Sequence, residues 1–293
     1  MVVYLMLVLS ALLGVVFFSM LERKILSLIQ IRKGPNSVML MGLLQSVVDA
    51  VKLFMKEQMK LYSVSIFIYL VSPACMAILS IFIWAFYPLS SDIFMFEYSM
   101  LLFVMVTSLE AYFLLFMGWF SSNKFSMMGS LRGVSQIISF EINIMLIILM
   151  MIYIWETASF LSVLKLQSEM VSGLWYLLYL AVLMFLLVVV ELNRSPVDMV
   201  EGESELVSGF NIEYMSYGLS VVFISEFSGM IIMCFIVGSL FLCSFLLLAL
   251  MLCFVLLIIR SVFPRVRYDL LMMFMWKSVL PLIMGLYYLY MLM

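Results

Sequence analysis

Residues 174–192 read LWYLLYLAVLMFLLVVVEL, an apolar run of nineteen residues whose only charge is Glu191, next to its end. Crossing the hydrocarbon core of a bilayer takes about 20 mostly apolar helical residues, and this stretch supplies them without a break. It runs directly into the densest polar segment of the chain, which holds Asn193, Arg194, Pro196, Asp198, Glu201, Glu203 and Glu205. Pro196 disfavours helix at Ser195, so the apolar helix is expected to end near there. A membrane-crossing helix that delivers a carboxylate to an acidic loop is the pattern from which the rest of the chain is read.

The apolar half of that pattern recurs along all 293 residues. Candidate spans are Val2–Leu21, Val64–Phe86, Met100–Phe120, Val134–Trp155, Leu174–Leu192, Tyr214–Val237, Ser239–Ile259 and Val279–Met293, the last being short. The sixth and seventh are joined only around Gly238. The predicted fold is therefore all-α, a polytopic membrane protein of about eight transmembrane helices in a single integral membrane domain over residues 1–293. Composition agrees: 67% of residues are hydrophobic and 11% charged, against about a quarter charged in ordinary soluble domains. A net charge of −2 speaks against a nucleic-acid partner. The first apolar run has the length of a full span rather than of a signal core.

The basic residues orient the spans. Fourteen of the fifteen Lys and Arg residues fall in the first, third, fifth and seventh loops, leaving only Lys165 on the other side. By the positive-inside rule these loops face the cytoplasm or matrix and both termini face the opposite compartment. The first loop also carries an amphipathic helix over about residues 43–57. Leu44, Val47, Val48, Val51, Phe54 and Met55 recur at steps of three and four, opposite a stripe of Gln45, Asp49, Lys52 and Lys56. It is too short to span and belongs in the interface plane, either roofing a lateral opening for a lipid-like substrate or merely anchoring the loop.

The absent residue types narrow the chemistry. Without histidine there is no His-ligated haem, no common catalytic zinc site and no Ser-His or Cys-His nucleophile. Cys75, Cys234, Cys243 and Cys253 lie in apolar runs without CxxC spacing, so no iron–sulfur cluster is expected on this chain alone. No glycine-rich nucleotide motif occurs, and any electrons are expected to come from a partner. The thirty methionines read as organellar codon usage rather than as a soft ligand pocket.

Against this background the acids inside the spans stand out: Glu110, Glu141, Glu191 and Glu226. A bare charge at mid-membrane costs about 2.5–3.5 kcal/mol. Four of them on consecutive spans point to a protein-lined or hydrated interior able to pass protons, in preference to four unrelated structural carboxyls. The acidic loop over about residues 191–213 reads as a partly buried funnel continuous with Glu191 and Glu226.

Several blocks carry a family resemblance. Leu21-Glu22-Arg23-Lys24 is followed by Gln30-Ile-Arg32-Lys33-Gly34-Pro35-Asn36, and Gly42-Leu-Leu-Gln45 by Asp49, Lys52 and Glu57. Further on come Gly129-Ser-Leu-Arg132 with Gln136 and Ser139-Phe-Glu141, then Glu201-Gly-Glu203-Ser-Glu205, then Phe263-Pro264-Arg265-Val-Arg267-Tyr268-Asp269 with Trp276-Lys277 and Pro281. In this order they resemble the NADH–ubiquinone oxidoreductase chain 1 family, in an invertebrate mitochondrial version.

The resemblance implies a membrane subunit of the proton-translocating respiratory complex in the mitochondrial inner membrane, with its basic loops facing the matrix. It implies ubiquinone as substrate and no cofactor on this chain, with FMN and iron–sulfur clusters on partner subunits. The implied partners are the peripheral-arm quinone-site subunits, the iron–sulfur cluster subunit and neighbouring membrane-arm subunits. Glu141, Glu191 and Glu226 match the intramembrane proton-coupling axis, and Asp198, Glu201, Glu203 and Glu205 match the acidic loop that links it to the quinone chamber. Arg23, Arg32, Asp49, Arg132, Arg194, Arg265 and Arg267 match the charged residues of the quinone tunnel and its interfaces. Three positions depart from the family pattern: Ser46 replaces a proline, Val197 an aromatic, and Phe120 a small residue.

Two rival readings remain at this stage. A stand-alone proton or cation transporter would use the same glutamates, but no inverted repeat is evident. An inert membrane anchor explains the basic loops but not the acids inside the spans.

Overall fold

The computed structural model describes residues 2–38, 40–57, 66–88, 96–169, 174–191, 193–199, 209–241 and 246–292. Among these the chain is helical and forms no strand, as expected where every backbone polar group must find its partner without water. The helices are α1 (Val2–Ile29), α2 (Gln45–Met55), α3 (Ile66–Ile83, tightening into a 3₁₀ turn at Trp84–Phe86), α4 (Ser99–Phe120) and α5 (Lys124–Trp155). They continue with α6 (Phe160–Glu169), α7 (Leu174–Glu191), α8 (Tyr217–Phe241), α9 (Leu246–Val262) and α10 (Tyr268–Leu292). Six of them are long and apolar enough to cross a membrane, and α7 and α9 contribute shorter apolar stretches at Leu178–Glu191 and Ala249–Val262. The chain is an all-α polytopic membrane protein.

One helix organises the bundle. α8 packs against α1, α2, α3, α6, α7 and α9. Its most apolar window is 67% buried within the protein, against 22% for α1 and for α10. A polar side chain on α8 is therefore held away from lipid, whereas the outer face of α1 exposes Leu5, Leu9 and Leu13, residues for which lipid is a good solvent.

Two helices begin earlier than their apolar stretches suggest. α5 starts at Lys124 rather than Val134, capped by Asn123, whose side chain accepts a hydrogen bond from the Phe125 N–H at 3.1 Å. Its first turns are rich in small and polar residues because they pack tightly on α4. A Cβ on Gly118 would come within 1.9 Å of the Ser130 hydroxyl, so only glycine permits this approach. α10 likewise starts at Tyr268, eleven residues before the expected Val279. It passes through Pro281, and a π turn at Met275–Val279 precedes that residue, where proline has no N–H to donate.

The junction near Gly238 also differs from expectation. α8 runs through Gly238 to Phe241, and the bare glycine lets Ala249 of α9 approach to 3.5 Å from a Cβ position. Glycine serves packing here and not a chain break. The short α6 lies between the apolar stretches. It packs on α8, where the Gln167 side chain donates to the Leu240 carbonyl.

Candidate functional site

Two cavities meet at α8. The wider one, about 310 Å³, lies between α1, α2 and α8 and is lined by Val15, Glu22, Arg23, Asp49, Phe54, Arg194, Phe223 and Phe227 among others. Helix α2 forms one wall, with an orientation the sequence pattern had not specified. Its Asp49 turns inward to Arg23 of α1 (2.5 Å) and receives a hydrogen bond from Gln45 at 3.0 Å. Val47, Val48, Val51 and Met55 are exposed on the outside. A short helix that shows an apolar face outward and polar groups to a cavity suits the edge of a bilayer. Ser46 is buried and also lines the cavity.

The smaller cavity, about 70 Å³, lies between α3, α4, α5, α7 and α8 and is lined by Thr107, Glu110, Glu191, Asn193, Ser225 and Glu226 together with apolar side chains. One oxygen each of Glu110, Glu191 and Asn193 is buried with no hydrogen-bond partner among the described residues. Glu141, on α5, does not line this cavity. It faces the Ser108 hydroxyl of α4, and its charge, like that of Glu110, reaches Glu191.

Arg194 stands between the two. It lines the wider cavity, lies over the ring of Phe227 (4.9 Å to the centroid) and near that of Phe223 (5.7 Å), and is ion-paired to Glu226, which lines the smaller one. Both partners are about 13% exposed, so the pair is largely shielded from solvent, where a cation over an aromatic face is worth more than at a surface.

The segment carrying Arg194 is pinned from several directions. Gln136 donates to the carbonyls of Val190 (2.8 Å) and Val197 (3.3 Å), and the Val266 N–H donates to the Pro196 carbonyl (2.9 Å). Arg260 donates to the Ser195 hydroxyl (3.1 Å) and ion-pairs with the buried Glu22 of α1. Asp198, about 10% exposed, is met by Arg265 at 3.7 Å. Downstream, Tyr69 donates to the Glu213 carbonyl (2.6 Å) and stacks on Tyr214 (4.5 Å between centroids). The Asn123 amide donates to the Glu213 carboxylate at 2.9 Å.

Of the residues singled out in the sequence, Glu191 and Glu226 are brought to one cavity with Glu141 adjacent, and Arg23, Asp49 and Arg194 line the other. Arg265 bears on the site through Asp198. Arg32, Arg132 and Arg267 do not line either cavity: Arg32 bonds Gln30 (2.9 Å), Arg132 lies over Tyr268 (5.9 Å), and Arg267 pairs with Asp269 (3.2 Å). Glu201, Glu203 and Glu205 lie outside the described residues.

The sequence reading assigned no role to Glu22, Gln136, Ser195 or Arg260. Arg260 carried a usable signal, since a guanidinium within an apolar helix needs a buried partner. Among the described residues no group of three or more His, Cys, Asp or Glu could hold a metal ion.

Fold and site together define a polytopic membrane protein in which a cavity with aromatic and charged walls lies beside a second cavity lined by Glu110, Glu191 and Glu226. The family model described as NADH dehydrogenase matches residues 2–291, and the chain belongs to that family. It is 39% identical to the NADH-ubiquinone oxidoreductase chain 1 of Rhipicephalus sanguineus over 281 residues, which cover 95% of this chain and 90% of that one. It is 40% identical to the protein of the same name from Apis mellifera ligustica, covering 96% and 93%, and 40% identical to that of Heterololigo bleekeri, covering 94% and 91%.

Proposed function

We propose that this chain is a core membrane subunit of a proton-translocating NADH:ubiquinone oxidoreductase in the mitochondrial inner membrane, forming the membrane part of the ubiquinone tunnel and the start of a proton-coupling axis. The carrying observation is the position of Arg194, which lines one cavity and neutralises a glutamate of the other. The wider cavity suits an amphiphile: aromatic walls at Phe54, Phe223 and Phe227, and charged groups at Arg23, Asp49 and Arg194. The exposed apolar face of α2 supports access for ubiquinone sideways from the bilayer. FMN and the iron–sulfur clusters then belong to partner subunits, which dock at the basic loops on the matrix side.

In this reading, reduction of quinone changes the charge in the wider cavity. A cation already engaged with Glu226 feels that change directly. Two unit charges about 4 Å apart interact by about 4 kcal/mol at an effective dielectric of about 20, enough to compare with the roughly 2.3 kcal/mol of moving one charge across about 100 mV. A weakened hold of Arg194 on Glu226 redistributes protons among Glu226, Glu191 and Glu141. Asp198, also within reach of Glu226, ties the acidic loop with Glu201, Glu203 and Glu205 to the same event.

The test is Glu191→Gln in the assembled enzyme in membranes, reading NADH-driven quinone reduction and protons pumped per electron. The expected result is a loss of pumping with slowed turnover. Unchanged turnover and pumping would overturn the axis.

A further inference from the structure

The smaller cavity holds one carboxyl more than the proposed axis uses. Thr107, Glu110 and Leu114 line it from α4 at steps of three and four, so Glu110 is aimed into it by helix geometry. Its Oε1 is buried with no hydrogen-bond partner among the described residues, as is Oε2 of Glu191.

Apart from the Asn193 amide nitrogen, the polar wall among the described residues is made of carboxyls and of hydroxyls already donating elsewhere. The Thr107 hydroxyl donates to the Val104 carbonyl (2.9 Å) and the Ser225 hydroxyl to the Val222 carbonyl (2.7 Å). Each spends its one proton on its own helix and turns lone pairs to the cavity. Asn193 presents an unpartnered Oδ1. No Lys or Arg among the described residues lines the space, and Arg194 is ion-paired to Glu226 at its edge. Acceptors facing acceptors in a closed, low-dielectric space require protons between them. The volume admits several waters, which find partners at the polar part of the lining, Thr107, Glu110, Glu191, Asn193, Ser225 and Glu226, and water supplies part of the need. Two carboxylates around one such space cannot both be ionised, so a carboxyl proton supplies the rest.

We propose that Glu110 is a further proton-holding residue of the axis, sharing one proton with Glu191 across this cavity. The transfer is balanced within the pair: an O–H bond breaks at Glu110, a bridging water gains one proton and releases another, and an O–H bond forms at Glu191. The pair carries one negative charge before and after. The resting proton can therefore sit on either side of the cavity, on α4 or on α7, and a shift in the pair between Arg194 and Glu226 of α8 selects which. Glu110 thereby links Glu191 to α4, the helix whose Ser108 faces Glu141.

This inference rests on the axis proposed above, and its test separates the two. Glu110→Gln, Glu110→Asp and Glu191→Gln are compared in the assembled enzyme, with assembly content measured alongside. Pumping-linked turnover is expected to fall by about tenfold or more in Glu110→Gln and to stay within about threefold in Glu110→Asp, as for a positioned proton carrier. A structural hydrogen-bond role would give the reverse order, because Gln is the closer isostere. Redox-triggered infrared difference spectra should lose a neutral-carboxyl band in Glu110→Gln. If Glu191→Gln is impaired while Glu110→Gln is not, the axis stands and the shared proton is refuted. If neither is impaired, both fall. Should Glu110→Gln fail to assemble, the Glu110→Asp spectrum decides: a shifted carboxyl band is expected, and an unshifted one overturns the inference.

Discussion

The two cavities are built on opposite electrostatic plans. At the wider one every acid that lines it has a cationic partner: Arg23 with Asp49 and Arg260 with Glu22, while Arg194 of its wall reaches out to Glu226. At the smaller one Glu110 and Glu191 have buried oxygens without a partner among the described residues. Paired charges fix a shape; acceptors without fixed donors leave protons free to move. In the proposed reading this difference fits one cavity to receiving a molecule and the other to holding protons, and Arg194 of the first is ion-paired to Glu226 of the second.

Removing that shared group is the most severe way to break the comparison. Arg194→Gln leaves the Glu226 carboxylate buried without its cation, which costs about 3–5 kcal/mol. The expected outcome is loss of most assembled enzyme, read on native gels, with quinone reduction falling in proportion or further. Arg194→Lys keeps the charge but gives up the planar contact with Phe227, and should assemble while turning over several-fold more slowly.

The Glu22–Arg260 pair tests whether charges around the wider cavity act as fixtures. Arg260→Met strands Glu22, which is only 7% exposed, and should cost about 2–4 kcal/mol in thermal stability of the detergent-extracted assembly. Adding Glu22→Gln should recover much of that, because the stranded charge is gone and the two sites are in contact. No recovery would mean that Arg260 matters mainly through Ser195 and the segment it pins.

A smaller effect is expected at the helix contact behind the smaller cavity. Gly118→Ala pushes a methyl group against Ser130 of α5 and should destabilise by about 1–3 kcal/mol, relieved in part by Ser130→Gly. Because α4 carries Glu110 and α5 carries Glu141, the residual enzyme should lose proton-to-electron stoichiometry before it loses quinone affinity. The opposite order would blur the division between the cavities.

The apolar spans, the amphipathic helix and the intramembrane acids were legible because each depends on a local pattern: length, a three-four repeat, or a charge where none is tolerated without reason. Helix starts were less so. At Lys124 and Tyr268 the helix continues into small or polar residues whose helical state is set by packing and capping, and hydropathy does not register either. Asn123 ahead of Lys124 was a readable cap. Which charges meet was not readable at all. Glu22 and Arg260 are 238 positions apart in sequence and nothing local links them. Likewise Glu110 reads as one of four similar acids until the bundle brings it to one cavity with Glu191, and nothing local tells that Arg32 and Arg267 line neither cavity.

The mildest prediction concerns binding alone. Phe54 projects from α2 into the wall of the wider cavity, is half exposed, and packs against Tyr217 with ring centroids 6.0 Å apart. It does not line the smaller cavity. Phe54→Ala removes apolar contact worth about 0.5–1.5 kcal/mol, so KM for a hydrophobic quinone should rise about two- to tenfold with little change in kcat. Protons pumped per electron should be unchanged, since no carboxyl has lost a neighbour. If pumping falls with affinity at this position, the wider cavity and the carboxyl axis are mechanically one unit, and Arg194 is a part of that unit rather than the boundary between two.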